Sequence, residues 1–171
     1  MKKLILVDRK DKVIGRESKE ICHLGEGKLH RAFSVFVVNG KGEMLIQKRS
    51  RFKRLWPGFW SNTCCSHFTE IGKEKEQAKR RLKEEMGFSC PLNFLFKLKY
   101  KARFKNIGSE NEITYVFLGR HYGKVRPNPK EVAEYRWLNP SGLEKEIRGK
   151  PEAFTPWFRK AMRRLKVGKV V

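Results

Sequence analysis

Acidic residues are scarce in this chain. Eighteen Asp and Glu stand against forty Lys and Arg in 171 residues, a formal charge of +22 with a sequence pI near 10.2. Such a balance suits nucleic acid, anionic lipid or a phosphorylated substrate, and charge alone selects none of them. Long apolar runs are missing as well. The opening LILV is too short for the hydrophobic core of a signal peptide, and nothing approaches the length of a membrane span, so a cytoplasmic protein without membrane insertion is expected. Cysteine is sparse: four residues, two of them adjacent, with no CxxC pair, which argues against a disulfide framework and a zinc ribbon. There are no repeats or low-complexity segments. At this length, with 39% hydrophobic and 12% aromatic residues, a single domain with one buried core over about 19–165 is expected.

Histidine is also rare, and its placement is informative. Of four histidines, His23 and His30 lie in CHLGEGKLH and His67 ends NTCCSH, while Glu110-Asn111-Glu112 supplies a carboxylate pair. Gly25 and Gly27 argue against a helix between the first two histidines, so that segment reads as a loop able to bring both imidazoles to one ion. Cys65 and His67 differ by two, as do Glu110 and Glu112, which in extended chain puts each pair on one face. Three imidazoles and two carboxylates make a five- or six-coordinate site suited to Mg2+ or Mn2+, with Zn2+ also accommodated. A structural zinc site on the vicinal cysteines and histidines unrelated to one another are the competing readings.

Strand patterns alternate with two or three helices. LILVD and KVIG open the chain, and RAFSVFVVNGKGEMLIQKR reads as a hairpin turning at Asn39-Gly40-Lys41-Gly42. The Trp-, Pro- and Gly-rich segment LWPGFWSNTCCSH reads as a loop. A helix is expected from about Lys73 to Met86 with Gly87 at its C-cap, then strands over 94–104 and 112–120, a connector over 124–130, a strand at EVAEYRWL, and a helix from Pro156 that Thr155 can cap. Lys97, Lys99, Lys101 and Arg103 alternate with apolar residues, and Arg159, Lys160, Arg163, Arg164 and Lys166 line the outer face of the last helix. Much of the charge is therefore assigned to solvated faces.

On the helix 73–86, Ala78 and Leu82 define an apolar face at about 100° per residue, Glu85 falls about 20° from Ala78, and Glu84 points away. A carboxylate on the buried stripe needs a partner, which a cation supplies, and Arg81 on the same side can reach an anion held there.

RRLKEEMGF resembles the end of a Nudix box, and the chain from Lys19 to Trp157 resembles the type 1 isopentenyl-diphosphate delta-isomerases. The family's H-x6-H, R-x3-K-x2-W-P-G-x-W, N-T-C-C-S-H, E-N-E, E-V-x-E-Y-x-W and F-T-P-W occur in order. The resemblance implies an α/β (α+β) Nudix fold, a mixed sheet sandwiched between helices. A hydrolase's Nudix box would place its Gly at Ser66, its first Glu at Gly72 and its Arg-Glu at Arg80-Arg81, an erosion that the isomerases share. A Nudix-type pyrophosphohydrolase of nucleotides or RNA is the runner-up, and a zinc-dependent RNA-binding module the third reading.

By that resemblance His23, His30, His67, Glu110 and Glu112 are metal ligands for Mn2+, Mg2+ or Zn2+. Glu85, with the main-chain carbonyl of Cys65, holds Mg2+ on the substrate's diphosphate. Lys19, Arg49, Lys53 and Arg81 contact the diphosphate, and Tyr100 hydrogen-bonds the catalytic carboxylate. No flavin is implied. Moving the double bond of isopentenyl diphosphate adds a proton at C4 and removes one at C2 through a tertiary cation, which asks for an acid and a base on opposite sides of a dry pocket. Cys65 and Glu112 are that pair, and Trp157 offers its indole face to the cation. The implied partner is the small diphosphate substrate, with no specific nucleic acid and a monomeric or weakly dimeric state.

Overall fold

The computed structural model describes residues 3–165. The hairpin expected over residues 31–49 is present only at its base. Strand β3 (His30–Val38) and strand β4 (Met44–Arg49) flank the Asn39–Gly42 turn, but their paired register is confined to Val38 opposite Met44. They part because the segment read as a loop enters between them. It carries two short strands, β5 (Trp60–Ser61), paired with β4, and β6 (Cys64–His67), paired with β3 from Ala32 to Val35. Between the two, Thr63 stands in for the missing ladder: its hydroxyl accepts from the Val37 amide at 2.9 Å and donates to the Leu45 carbonyl at 2.6 Å. Periodicity could not reveal this, since the wedge forms hydrogen bonds with residues far away in sequence.

The other edge of β3 pairs in parallel with β8 (Gly108–Arg120), itself the second arm of a long antiparallel hairpin with β7 (Leu92–Phe104). Strand β8 starts earlier than the pattern at 112–120 suggests because the chain reverses within Lys105–Ile107, where Lys105 has φ 50°, and the pairing reaches that turn; β7 starts two residues before 94 because Leu92 and Asn93 pair with Gly119 and Leu118 at the far end. Strands β1 (Leu4–Val7) and β2 (Val13–Glu17) extend the sheet beyond β3, and β9 (Val132–Leu138) pairs with β4.

Helices cover both faces of this mixed sheet. On one side α2 (Glu74–Met86) buries Ala78, Leu82 and Met86 against Phe33, Val35 and Val37. On the other, α4 (Pro156–Arg164) buries Trp157, Phe158 and Ala161 against Phe36 and Met44 together with Leu143 of α3 (Pro140–Gly149). Alternation along β3 thus sends odd residues to α2 and even ones toward α4. Helix α3 was not singled out by pattern, although Asn139 caps it by accepting from the Ser141 amide. Thr155 occupies the N-cap of α4 without a capping bond from its side chain, because its hydroxyl is engaged with Ser61 Oγ at 3.0 Å instead. Lys97, Lys99, Lys101 and Arg103 are exposed, as are Lys160, Arg163 and Arg164, while Lys166 lies outside the described residues. No helix among the described residues is long and apolar enough to cross a membrane.

Gly87 ends α2 in the left-handed region, φ 78°, and a Cβ there would stand 2.3 Å from the Arg126 carbonyl oxygen. Gly87→Ala should therefore destabilise the protein by at least about 1–2 kcal/mol, measured as a lowered urea midpoint, because strain and the backbone clash act together.

Candidate active site and metal centre

The register of three strands assembles the site. His30 pairs with Glu112, Ala32 with Thr114 on one side and His67 on the other, and Ser34 with Cys65. Residues directly opposite share a face, so His30, Ser34, Cys65, His67, Glu112 and Thr114 lie together on the even face of β3. Glu110, two residues before Glu112, and Tyr100, opposite Glu112 on β7, join them. Cys64 goes the other way and is fully buried beneath α2, whereas Cys65 is half-buried.

His23 arrives by a different route. Ser18 caps the short helix α1 (Lys19–Cys22), whose C-cap is His23, and Gly25 and Gly27 at φ 54° and 74° turn the chain back into β3. That loop is pinned to β8: Ser109 N donates to the His23 carbonyl, Ser109 Oγ to the Gly25 carbonyl, and Asn111 Nδ2 to the Gly27 carbonyl. Gly108 permits the approach, since a Cβ there would meet the His23 carbonyl oxygen at 2.6 Å.

The three imidazoles converge with ring centroids 4.9–5.0 Å apart. His23 Nε2 is 2.9 Å from Glu110 Oε2 and 3.2 Å from His67 Nε2, and His67 Nε2 is 3.0 Å from Glu112 Oε1. All five ligand atoms lie within 4.8 Å of one another. Their chemistry fits a divalent cation. Nδ1 of His23 and of His30 faces the carbonyls of Lys19 and Lys28 at 2.6 and 2.7 Å, so each ring donates there and turns the lone pair of Nε2 inward, as ligating histidines do. His30 Nε2 and Glu110 Oε2 are buried without a hydrogen-bond partner, a costly state that a cation relieves. Burial by itself would raise both carboxylates, but the imidazoles of His30 and His67 beside it hold Glu112 well below the usual range, and those of His23 and His67 lower Glu110 despite the repulsion of Glu112.

A cavity of about 410 Å³ opens beside this cluster. Its wall includes His23, His67, Glu110 and Glu112 together with Cys65, Tyr100, Trp157, Lys19, Arg49, Lys53 and Arg81, so eleven of the thirteen residues singled out from sequence meet here. His30 lies just beneath the wall. Glu85, 1% exposed, also sits one layer deeper, behind Arg81 and Lys53, with its Oε1 3.1 Å from Arg81 Nε and 3.9 Å from Lys53 Nζ and its Oε2 accepting from Gln47.

Tyr100 Oη donates to Glu112 Oε2 at 2.5 Å and Thr114 Oγ1 to the same oxygen at 2.9 Å. Burial and the Glu112 charge push the Tyr100 hydroxyl well up, so it remains a donor. Burial raises the Cys65 thiol to about 11 in spite of Arg49, whose Nη1 is 3.8 Å from Sγ. Arg49 is itself fixed by the carbonyls of Leu55 and Trp56 and lies over the Trp157 ring at 5.3 Å, while Trp157 Nε1 donates to Ser61 Oγ. Sequence reasoning passed over Thr114, Gln47, Ser61 and Glu131. Thr114 and Gln47 read as ordinary strand residues, and Glu131 as the start of a strand, until their partners are known.

His23 and Glu110 are far apart in sequence yet approach one point. Replacing either with Ala should empty the same metal site. Metal analysis of the purified variants checks this, and an undiminished metal content in His23→Ala would refute it.

The sequence profile of the NUDIX domain matches residues 28–158. The chain is 41% identical over 155 residues to isopentenyl-diphosphate Delta-isomerase 1 of Aromatoleum aromaticum, covering 91% of this chain and 87% of that protein. It is 44% identical to isopentenyl-diphosphate Delta-isomerase of Burkholderia multivorans, covering 91% and 88%, and 39% identical to isopentenyl-diphosphate Delta-isomerase 1 of Bos taurus, covering 90% and 78%. Among solved structures, a Deinococcus radiodurans protein shares the fold with a TM-score of 0.77 at 22% identity, covering 96% of this chain and 99% of that one. A MutT protein of Methanosarcina mazei follows at TM-score 0.64 and 23% identity, covering 80% and 91%. With that sequence likeness spread over nine-tenths of its length and a NUDIX domain beneath it, the chain belongs to the isopentenyl-diphosphate Delta-isomerase family.

Proposed function

We propose that this enzyme interconverts isopentenyl diphosphate and dimethylallyl diphosphate, the allylic isomerisation that serves isoprene biosynthesis. The observation that carries the reading is the shared wall of Cys65 and Glu112: a thiol and a carboxylate reach one cavity from strands on opposite edges of β3. The thiol is held protonated and the carboxylate charged, the opposite starting states that a proton added at one carbon and removed at another requires.

Tyr100 and Thr114 fix the orientation of Glu112 and keep one of its oxygens hydrogen-bonded. His23, His30, His67, Glu110 and Glu112 would hold a divalent ion that would set the proton affinity of Glu112, and the donor set favours Mn2+ or Mg2+, with Zn2+ also accommodated. Trp157, walled in by Trp56 and Tyr100, presents an aromatic surface to the tertiary cation, worth about 2 kcal/mol in a desolvated pocket. Lys19, Arg49, Lys53 and Arg81 grip the diphosphate, and Glu85 is placed behind them to hold Mg2+ on it. Hydrolysis would need further carboxylates beside the phosphate, and the positions where a hydrolase keeps them carry Gly72 and Arg81. A single domain, a monomer or weak dimer, and a cytoplasmic setting that keeps Cys65 reduced complete the reading. The large positive charge is not assigned to nucleic acid.

The two cysteines test the assignment directly. Cys65→Ala should lower turnover by at least about 100-fold, the loss typical of an acid/base group, whereas Cys64→Ala should stay within about tenfold of wild type because its side chain faces α2. Equal losses in steady-state assays would sink it.

Turnover in heavy water separates isomerase from hydrolase. Isopentenyl diphosphate should yield dimethylallyl diphosphate carrying deuterium, with no phosphate released. Phosphate release without deuterium on carbon would reverse the conclusion. Glu112→Gln should abolish carbon exchange while leaving diphosphate binding nearly intact, as read by calorimetry.

A further inference from the structure

Glu131 has no role in the chemistry above, yet it occupies the centre of the diphosphate grip. Its carboxylate pairs with Lys53 Nζ through one oxygen and accepts from Arg81 Nη2 at 2.7 Å through the other. Burial would raise this acid, but Lys53 and Arg81 bring it down to about 2. The placement is built into the backbone. Glu131 stands at the entrance to β9, where its carbonyl accepts from the Ser50 amide, while Ser50 Oγ donates to the Lys130 carbonyl and the Ser50 carbonyl accepts from the Lys53 amide. The turn that carries Lys53 and the residue that neutralises it are therefore one hydrogen-bonded unit.

Lys53 and Arg81 face two carboxylates, Glu131 and the buried Glu85, so the four groups balance; the remaining Arg81 nitrogen, Nη1, goes to Glu84, which is exposed and screened by water. A diphosphate arriving alone must compete with both carboxylates for both cations. Glu85 Oε1 is buried and accepts no well-directed hydrogen bond, so it is the oxygen of the four groups best suited to a metal ion. A divalent cation there cancels the Glu85 charge and leaves Lys53 and Arg81 in excess over Glu131 alone.

We propose that Glu131 is a positioning and selectivity residue that makes diphosphate binding conditional on a divalent cation. It holds Lys53 and Arg81 at the geometry of the grip, and it withholds their charge until Glu85 is neutralised. The inference rests on the reading of Lys53 and Arg81 as diphosphate contacts, and it asks more of them: that their affinity for the ligand be gated by an internal anion.

The test is calorimetric binding of inorganic pyrophosphate to the full chain, in EDTA and in excess Mg2+, for wild type, Glu131→Gln and Glu131→Asp. Wild type should bind weakly in EDTA and much more tightly with Mg2+. In Glu131→Gln the affinity in EDTA should rise at least about tenfold, the size expected of one charge a few ångströms from the ligand in a partly solvated site, so that dependence on Mg2+ shrinks. Glu131→Asp, which keeps the charge, should keep the wild-type dependence. A Gln variant whose affinity falls equally in both conditions, or whose Mg2+ dependence is unchanged, would overturn the proposal, because a simple brace predicts the first and a bystander the second. So would an Asp variant that binds as Gln is expected to, which also covers a Gln variant that fails to fold. Failure of the underlying reading looks different: Lys53→Ala would then bind pyrophosphate with Mg2+ as well as wild type does.

Discussion

The insertion of residues 60–67 between β3 and β4 is the constraint on which the rest of the site depends. A hairpin with the Asn39–Gly42 turn would ordinarily zip along its length, and here it is held open by a polar wedge. Thr63 satisfies one backbone group on each flanking strand, Asn62 Nδ2 donates to the Val35 and Cys64 carbonyls, and Gln47 Nε2 donates to the Thr63 carbonyl, all within a fully buried layer. Buried backbone groups left unpaired cost about 1–3 kcal/mol each, so the strands separate only because these side chains replace the ladder. The wedge brings Cys65 and His67 alongside Ser34 and Ala32, and with them the thiol and the third imidazole. A shift of one residue in the β3–β6 pairing would turn Cys64 into the cavity and bury Cys65 under α2.

Concentrating so many ionisable groups away from water is expensive unless each is paired. The fold meets this in two separate clusters. Around the histidines, carbonyls orient the imidazoles and the imidazoles depress the carboxylates, leaving a nest of lone pairs aimed at one point. Around Glu85, cations and carboxylates alternate, and Gln47 ties that cluster to the wedge. The first carries the groups suited to moving protons at carbon, and the second those suited to gripping phosphate. Cys65 and Arg49 lie where the two meet, with a guanidinium nitrogen near the thiol and its plane over Trp157.

Much of the excess positive charge has no part in this. On β7 the exposed Lys97 reaches Asp11, and Lys101 and Arg103 reach Glu26. Asp11, itself at φ 66°, also takes Arg31 and the Tyr115 hydroxyl, so the β1–β2 turn is tied to the sheet by the few acids the chain possesses.

Spacing and periodicity were enough for the local features: the helix ending at Gly87, the buried position of Glu85 on it, the shared faces of Cys65 with His67 and of Glu110 with Glu112, and the glycine loop between His23 and His30. These are set by neighbouring residues, whose geometry repeats every two or every 3.6 positions, and the family motifs were legible for the same reason. Long-range pairing was not. That β3 would leave β4 for β6 and β8, that Thr155 would turn from capping α4 to bond Ser61, that Glu131 would reach Lys53 and Arg81, and that Glu85 would stand behind the cavity wall all depend on contacts between segments distant along the chain. Such contacts form wherever buried polar groups find partners, a condition imposed by the packed core as a whole and written in no single stretch of residues.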